Sequence, residues 1–372
     1  LAARYSDYST VGDTTTWRAN LMYSPHEDLM VRLSKSQAIR APNISELFGP
    51  EVGATFRPTD PCNASVIAGI RSNDEAAANQ LQANCVADLQ SIGYNPFDDS
   101  GEYVYTDPLS AAFPGVTGGN AELQEETADT ITAGFVYNSS WLEGFSVTAD
   151  YWSIEIDDAI SAVSSDDIVN GCYVGESLNE NFCSLFTRNT DASSPQFGGL
   201  NFLRSTQVNF ARLETSGVDF SVGYDFEVGA HTFYTKVSGT KVNEIDQYTN
   251  PNDLTEVNPE LGEVNRPEWA GNINLTWKWE ELQVGWQTQY MDEQLLAGVE
   301  VEEYERGDFD DTAMMDEFWQ HDINFSYMVK ENLKMYGGIK NITDEQPFIT
   351  NFAYPASPRG RFYFVGFDMQ FK

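Results

Sequence analysis

The sequence has no stretch of about 18 consecutive apolar residues, the length that a transmembrane helix needs, so a helical membrane protein is excluded. It is also poor in basic residues, with 21 Lys and Arg against 57 Asp and Glu and a formal net charge of −36. Binding to nucleic-acid phosphates requires basic patches. We therefore expect no nucleic-acid partner.

Histidine and catalytic motifs are scarce as well. The 3 His lie far apart in the sequence, and no GxSxG, HExxH, P-loop, GxGxxG or EF-hand pattern occurs. Glycosidases use a pair of carboxylates as catalytic acid and base. Neighbouring acids such as Asp157 and Asp158 are only weak evidence for such a pair, because the chain has 57 Asp and Glu. The sequence predicts a protein that is not an enzyme and has no cofactor, and it leaves open a calcium ion bound in an acidic loop.

Alternation of apolar and polar residues, the period of a β-strand with two different faces, recurs along the chain. The clearest case is 282–290, where Leu, Val, Trp, Thr and Tyr alternate with Gln and Gly. Twelve segments are predicted as strands on this basis: 1–8, 14–24, 28–38, 127–138, 143–158, 204–227, 231–242, 267–279, 282–292, 317–329, 332–341 and 360–371.

The connections between these segments alternate in length. Turns of a few residues lie at 24–27, 138–141, 228–230, 280–281 and 330–331, and long connections separate the hairpins apart from a short gap at 9–13. Outer-membrane barrels have short periplasmic turns and long extracellular loops, whereas a β-sandwich has no reason to keep this parity. We therefore predict an all-β fold, an antiparallel transmembrane β-barrel.

The four cysteines fall in two of the long connections. An even number of cysteines, the lack of CxxC and the scarcity of His favour disulfides in an oxidising compartment over a zinc site. Four cysteines allow three pairings. We favour Cys62 with Cys85 and Cys172 with Cys183, because loop residues on separate hairpins need not meet.

Several segments match motifs of one family. These are RAPNISELF from residue 40, NAELQEE from residue 120, the strand segments around residues 217 and 338, and the final strand after PRGRF. In order and spacing they resemble TonB-dependent outer-membrane receptors. The residues that carry the resemblance are Arg40, Ala41, Pro42, Glu46, Leu47, Phe48, Asn120, Leu123, Glu126, Gly217, Asp219, Gly338, Asn341, Arg359, Gly360, Arg361 and Phe371.

The resemblance implies that residues 1–372 are the C-terminal part of a receptor barrel. The family barrel has about 22 strands around an N-terminal plug. The strands here would be its last twelve, with the plug, the TonB box and the first strands outside this sequence. The resemblance also implies the outer membrane of a Gram-negative bacterium, contact with its lipid, a periplasmic TonB protein as energy-transducing partner and a scarce small-molecule substrate.

The substrate itself is not legible in the sequence. Aromatic rings suit sugars and aromatic siderophores alike, so the loop aromatics are the candidate contacts: Tyr103, Tyr105, Phe113, Trp319, Phe348 and Tyr354. Acidic loops repel an anionic ferric siderophore unless basic residues such as Arg57, Arg71 and Arg188 offset them. This favours a neutral oligosaccharide or a neutral or cationic metal chelate. The alternatives are a passive porin-like channel and a secreted all-β carbohydrate-binding protein.

Overall fold

The structure is a computed structural model that describes residues 1–109, 111–249, 255–348, 354–355 and 357–371. All twelve predicted strands are present, and each pairs antiparallel with the next along the chain in one sheet, which we call the wall. The wall strands are β1 (Ala2–Tyr8), β2 (Gly12–His26), β3 (Leu29–Arg40), β4 (Glu126–Asn138), β5 (Phe145–Ala162), β6 (Gln207–Val228), β7 (His231–Tyr248), β8 (Trp269–Trp279), β9 (Leu282–Met291), β10 (Phe318–Lys330), β11 (Leu333–Lys340) and β12 (Phe362–Met369).

The two faces of the wall differ as the alternation predicts. In the β8–β9 pair, Asn274 lies opposite Gln287 on one face and Leu275 lies opposite Trp286 on the other. Residues directly opposite each other in a sheet share a face, so the wall has a polar inner face and an apolar outer face. This is the arrangement of a barrel wall that meets lipid outside and water or protein inside.

The predicted parity of turns and loops is confirmed. Short turns join β2 to β3, β4 to β5, β6 to β7, β8 to β9 and β10 to β11 at one rim. The other rim carries five long loops, L1 (41–125), L2 (163–206), L3 (249–268), L4 (292–317) and L5 (341–361). No helix in the described part of the chain is long and apolar enough to cross a membrane.

Two strands extend further toward the loops than predicted. The alternation predicts ends at 158 for β5 and at 242 for β7, whereas the strands run to Ala162 and Tyr248. In β5 the extension contains an irregularity, because Asp158 has a left-handed backbone with φ of 54° and the register with β6 shifts nearby. Such bulges interrupt the period of two on which the prediction rests.

The loops contain six α-helices that the sequence analysis does not predict. They are α1 (Ile44–Phe48), α2 (Ala64–Arg71), α3 (Glu75–Ser91), α4 (Ser165–Tyr173), α5 (Glu180–Cys183) and α6 (Val301–Glu305), and a 3-10 turn covers Asp311–Ala313. The start of α3 could have been predicted from the sequence, because Asp is a common N-cap residue. In the structure the Asp74 side chain accepts a hydrogen bond from the Ala77 amide. An alanine-rich run follows that cap.

L1 and L2 fold together into one unit, which we call the lobe. Each contributes two strands to a four-stranded sheet in the order Val52–Phe56, Phe113–Thr117, Leu200–Ser205 and Phe186–Arg188, with a parallel pairing at its centre. The main hydrophobic core of the described residues lies here, between this sheet and helices α2 to α4. The other small strands lie in L3 and L4: Asn258–Pro259, Gln294–Leu295 and Met314–Met315.

Candidate functional site

Both predicted disulfides are present, and each lies within one half of the lobe. Cys62 bonds to Cys85, with 5.5 Å between their Cα atoms. Cys172 bonds to Cys183, with 4.7 Å between theirs. Closing loops of this size stabilises a fold by about 3 kcal/mol each in the chain-entropy model. This is the predicted pairing. The reason given for it, that loop residues on separate hairpins need not meet, does not apply here, because L1 and L2 contact each other.

A buried arginine joins the two halves of the lobe. Arg188 of L2 is 2% exposed at its side chain and donates from Nη1 to Asp60 Oδ2 of L1 at 2.6 Å. Its Nε donates to Asp88 Oδ2 at 2.7 Å. Burial opposes its charge, but Asp60 outweighs this, so the pKa of Arg188 is raised well above its ordinary value.

This position corrects one expectation from the sequence. Arg188 was named among the basic residues that could offset the acidic loops toward an anionic ligand. In the structure its charge is taken up by two carboxylates inside the lobe. It therefore positions L1 against L2 and does not face the mouth of the wall.

Three of the six candidate aromatic contacts belong to the lobe core. Tyr105 is 1% exposed and its hydroxyl donates to Asp60 Oδ2 at 2.9 Å. Tyr103 donates to the carbonyl oxygen of Cys62 at 2.7 Å, and Phe113 is 5% exposed. Burial raises the pKa of both tyrosines, with the Asp60 charge adding to it. A ligand could reach the rings of Tyr105 and Phe113 only if the lobe opened.

The other three candidates lie at the opposite end of the wall. Trp319 packs against Tyr290 with ring centroids 4.4 Å apart, and both are on the apolar outer face. This position is typical of the aromatic girdle of a membrane barrel and does not suit a ligand inside the wall. Phe348 and Tyr354 contact each other in L5 at 5.8 Å between centroids. The role of the six candidate aromatic residues as substrate contacts therefore remains a prediction.

The first two family motifs anchor the lobe to the wall. Arg40, the last residue of β3, pairs with Glu126 at the start of β4 and with Glu46 of α1. Asn120 donates from Nδ2 to the carbonyl oxygen of Gln207, where β6 begins, at 3.0 Å. Leu123 is 1% exposed. Of the remaining residues of the first motif, Ala41 and Pro42 precede α1, and Leu47 and Phe48 are its last two residues.

The glycine motifs mark close packing within the wall. A register shift lies between Ser216 and Gly217, and a Cβ at Gly217 would approach both the Lys241 carbonyl oxygen and the Trp152 ring to 2.6 Å. At Gly338 a Cβ would approach the Ile323 carbonyl oxygen to 2.4 Å. Neither position therefore has room for a side chain.

Asp219, which follows Gly217 in β6, lies on the inner face and accepts from Thr240 Oγ1 at 2.5 Å. The last motifs shape the turns of L5. Asn341 has a left-handed backbone with φ of 53°, and its amide donates to Asp322 Oδ1 at 2.8 Å. The Arg361 amide donates to Asp344 Oδ1 at 2.7 Å. The other motif residues here are Arg359, Gly360 and Phe371, of which Phe371 is 85% exposed.

A cleft of about 580 Å³ lies where the lobe meets the wall. It is lined by the end of L1, by α5 and by the start of β6. Its side chains are mainly amides and carboxylates, among them Glu122, Gln124, Glu180, Asn181 and Asn209. Arg204, which pairs with Glu51, also lines the cleft. The amides and carboxylates can hydrogen-bond hydroxyl groups and attract cations.

Of the eight basic residues in the five loops, four are paired with carboxylates, whereas Arg57, Arg71, Arg359 and Arg361 form no ion pair within the described residues. Besides Arg188, Arg204 pairs with Glu51, Arg266 pairs with Glu260 and Glu263, and Arg306 pairs with Asp308. The loops still carry excess negative charge, because they hold 35 Asp and Glu against these eight basic residues. Within the described residues, no group of three or more His, Cys, Asp or Glu has the arrangement of a metal site, and the loop-bound calcium ion stays a prediction.

The chain matches the family model described as TonB dependent receptor-like, beta-barrel, over residues 1–342, and it belongs to this family. Members of the family are outer-membrane receptors and transporters of Gram-negative bacteria, not enzymes. They bind small-molecule substrates such as siderophores and interact with TonB. The predicted family, fold class and non-enzymatic nature are thus confirmed.

Two solved structures show the same fold. The siderophore receptor PirA from Acinetobacter baumannii is 14% identical, with a TM-score of 0.57 over 99% of this chain and 43% of that one. A mutant ferric enterobactin receptor from Pseudomonas aeruginosa in complex with enterobactin is 12% identical, with a TM-score of 0.57 over 99% of this chain and 42% of that one. No curated protein matches the chain. The chain spans less than half the length of these two structures.

Proposed function

We propose that the chain is the C-terminal part of the barrel of a receptor in the outer membrane of a Gram-negative bacterium. The receptor imports a neutral or cationic small molecule, with energy supplied through a periplasmic TonB protein. The excess negative charge of the five loops is the observation that carries the substrate class. These loops hold most of the 57 Asp and Glu of the chain but a minority of its 21 Lys and Arg.

The charge argues against a ferric catecholate as the substrate. Three catecholates bring more negative charge than Fe(III) offsets, so such a chelate is an anion and meets repulsion at an acidic mouth. Three hydroxamates around Fe(III) give a neutral chelate, and an oligosaccharide is neutral as well. The amides and carboxylates of the cleft between lobe and wall can hydrogen-bond either kind of substrate.

Energy coupling requires a plug that TonB can pull. The solved structures are long enough to hold one in addition to the matched part, since this chain covers 43% and 42% of them. We propose such a plug in the complete receptor. It would pack against the polar inner face of the wall, which includes the ion pair between Arg32 and Asp150.

The experiment is an uptake assay with the full-length receptor, expressed in a Gram-negative host that lacks its own siderophore receptors. Radiolabelled iron is offered as a neutral hydroxamate or as an anionic catecholate chelate, and a labelled neutral oligosaccharide is tested alongside. We expect uptake of at least one neutral substrate, little uptake of the catecholate, and loss of uptake with a protonophore or without TonB. Preferred uptake of the catecholate would contradict the substrate class. Uptake that resists the protonophore would indicate a passive channel.

A further inference from the structure

L3, L4 and L5 meet at a single buried glutamine. Gln294 of L4 is 0% exposed, and its Oε1 accepts from the Asn265 amide of L3 at 2.8 Å. The same oxygen accepts from the Tyr354 hydroxyl of L5 at 3.1 Å. The Leu295 amide also donates to the Gly262 carbonyl oxygen at 2.7 Å. Within the described residues, these hydrogen bonds join L3 to L4 and L5.

An incompletely paired carboxylate lies beside this junction. Glu263 of L3 is 8% exposed, and its Oε2 lies 2.5 Å from Nη1 of Arg266 in the same loop. Its other oxygen, Oε1, is enclosed and accepts no hydrogen bond from a donor within the described residues. A buried carboxylate oxygen without a donor is costly while it is charged.

The group that approaches Glu263 from L4 is another acid. Glu300 precedes α6, which packs beside Asn258–Pro259 of L3, and the Glu263 and Glu300 side chains are within hydrogen-bonding reach. Two carboxylates can form a hydrogen bond only if one of them holds a proton. Burial and then Glu300 raise the pKa of Glu263 to about 7, with Glu260 adding to this and Arg266 opposing it.

We propose that Glu263 and Glu300 form a proton-operated latch that holds L3 against L4. With one shared proton the two acids hydrogen-bond and the loops are joined. Without it the negative charge of the exposed Glu300 faces that of the buried Glu263, beside the further charge of Glu260, and the loops separate. The glutamine junction sets the closed geometry, and the acid pair makes its stability depend on pH.

The direction of the pH dependence follows from the two states of the latch. Glu263 has a pKa of about 7 when closed and, once L3 leaves L4, a value near the ordinary 4.5. The closed state therefore binds the proton more tightly, so it is favoured at low pH and loses stability as the pH rises from 4.5 to 7. Above 7 both states are ionised and the equilibrium levels off.

If the proposed uptake function holds, the latch regulates access to the mouth of the receptor. The contact between L3 and L4 can be measured without any substrate, so a failure of the uptake proposal would not affect this inference. A failure of the latch would likewise leave the uptake proposal intact.

The test is hydrogen–deuterium exchange of the full-length receptor in outer-membrane vesicles, measured by mass spectrometry from about pH 5 to pH 8 and corrected for intrinsic exchange rates. In the wild type we expect the protection of peptides from L3 and L4 to fall by up to tenfold per pH unit below 7 and to level off above it. In Glu263→Gln the protection should be independent of pH, since an amide donates to Glu300 at any pH. Glu300→Gln should weaken the pH dependence without abolishing it, because Glu263 stays buried and ionisable.

The matched control is Glu305→Gln, which removes one negative charge from an exposed position of α6. It should keep the wild-type pH dependence. The latch is ruled out if wild-type protection does not change with pH, or if both glutamine variants change with pH as the wild type does. A misfolded Glu263→Gln protein would still leave Glu300→Gln to decide.

Discussion

The lobe and the wall place their apolar side chains in opposite directions. In the lobe, Ile67 is 1% exposed and Leu89 is 0% exposed. On the wall, Leu33, Leu275 and Trp279 are 46%, 40% and 42% exposed. The lobe is thus built like a small water-soluble protein, whereas the wall exposes its apolar residues on one face, as barrel walls that meet lipid do.

The difference shows that the two parts rely on different forces. The wall is held by the ladder of hydrogen bonds between its strands. The lobe buries its own core, carries both disulfides and contains the buried Arg188 network. A change in one part should therefore leave the other intact, and this can be tested at each part separately.

The largest effect is expected from Arg188→Met. The substitution leaves Asp60 buried without its charged partner, and breaking a buried pair in this way costs about 3–5 kcal/mol. The lobe should become sensitive to protease while the wall keeps the heat-modifiable gel migration of a folded barrel. The double variant Arg188→Met with Asp60→Asn should regain part of the resistance, because the buried charge is removed.

This prediction fails if protease resistance of L1 and L2 is unchanged in Arg188→Met. It also fails if the wall unfolds together with the lobe, because the two parts would then form one cooperative unit.

A somewhat smaller effect is expected on the wall from Trp286→Arg. Trp286 is on the outer face in the middle of β9, where an Arg side chain facing lipid costs about 2–4 kcal/mol. The matched control is Gln287→Arg, whose side chain lies on the polar inner face opposite Asp322. Assembly into lipid vesicles should fall for the first variant and persist for the second. Equal assembly of both would show that the inner and outer faces are assigned wrongly.

The contrast between the parts also explains what could be predicted from the sequence. A wall strand such as β9, predicted over 282–292 and observed over Leu282–Met291, shows its two environments in a period of two within a few residues. The lobe depends on contacts between distant residues, such as Asp60 with Arg188, 128 positions apart. The cysteine pairs were the local signal that these loops are ordered, and the N-cap of α3 was a second one.

The burial of Arg188 illustrates the same limit for the candidate site. Its charge type suggested a surface position, since unpaired Arg is almost never fully buried. The two carboxylates that allow its burial, Asp60 and Asp88, lie in another loop and could not be assigned to it from sequence. Tyr105 is a similar case, because its aromatic ring suggested a ligand contact whereas its hydroxyl belongs to the Arg188 network.

The smallest effect is expected where the two parts join, from Asn120→Ala. The Asn120 side chain donates to the Gln207 carbonyl oxygen and accepts from the Glu122 amide at 3.0 Å, so its loss should cost about 1 kcal/mol at the junction. Both the lobe and the wall should stay folded, and only exchange protection at the end of L1 and the start of β6 should decrease. Asn181→Ala is the control, since it truncates an amide in the same cleft on the lobe side alone. If Asn120→Ala instead exposed the whole lobe to protease, the lobe would depend on the wall for its stability, and the independence inferred from their opposite burial would be wrong.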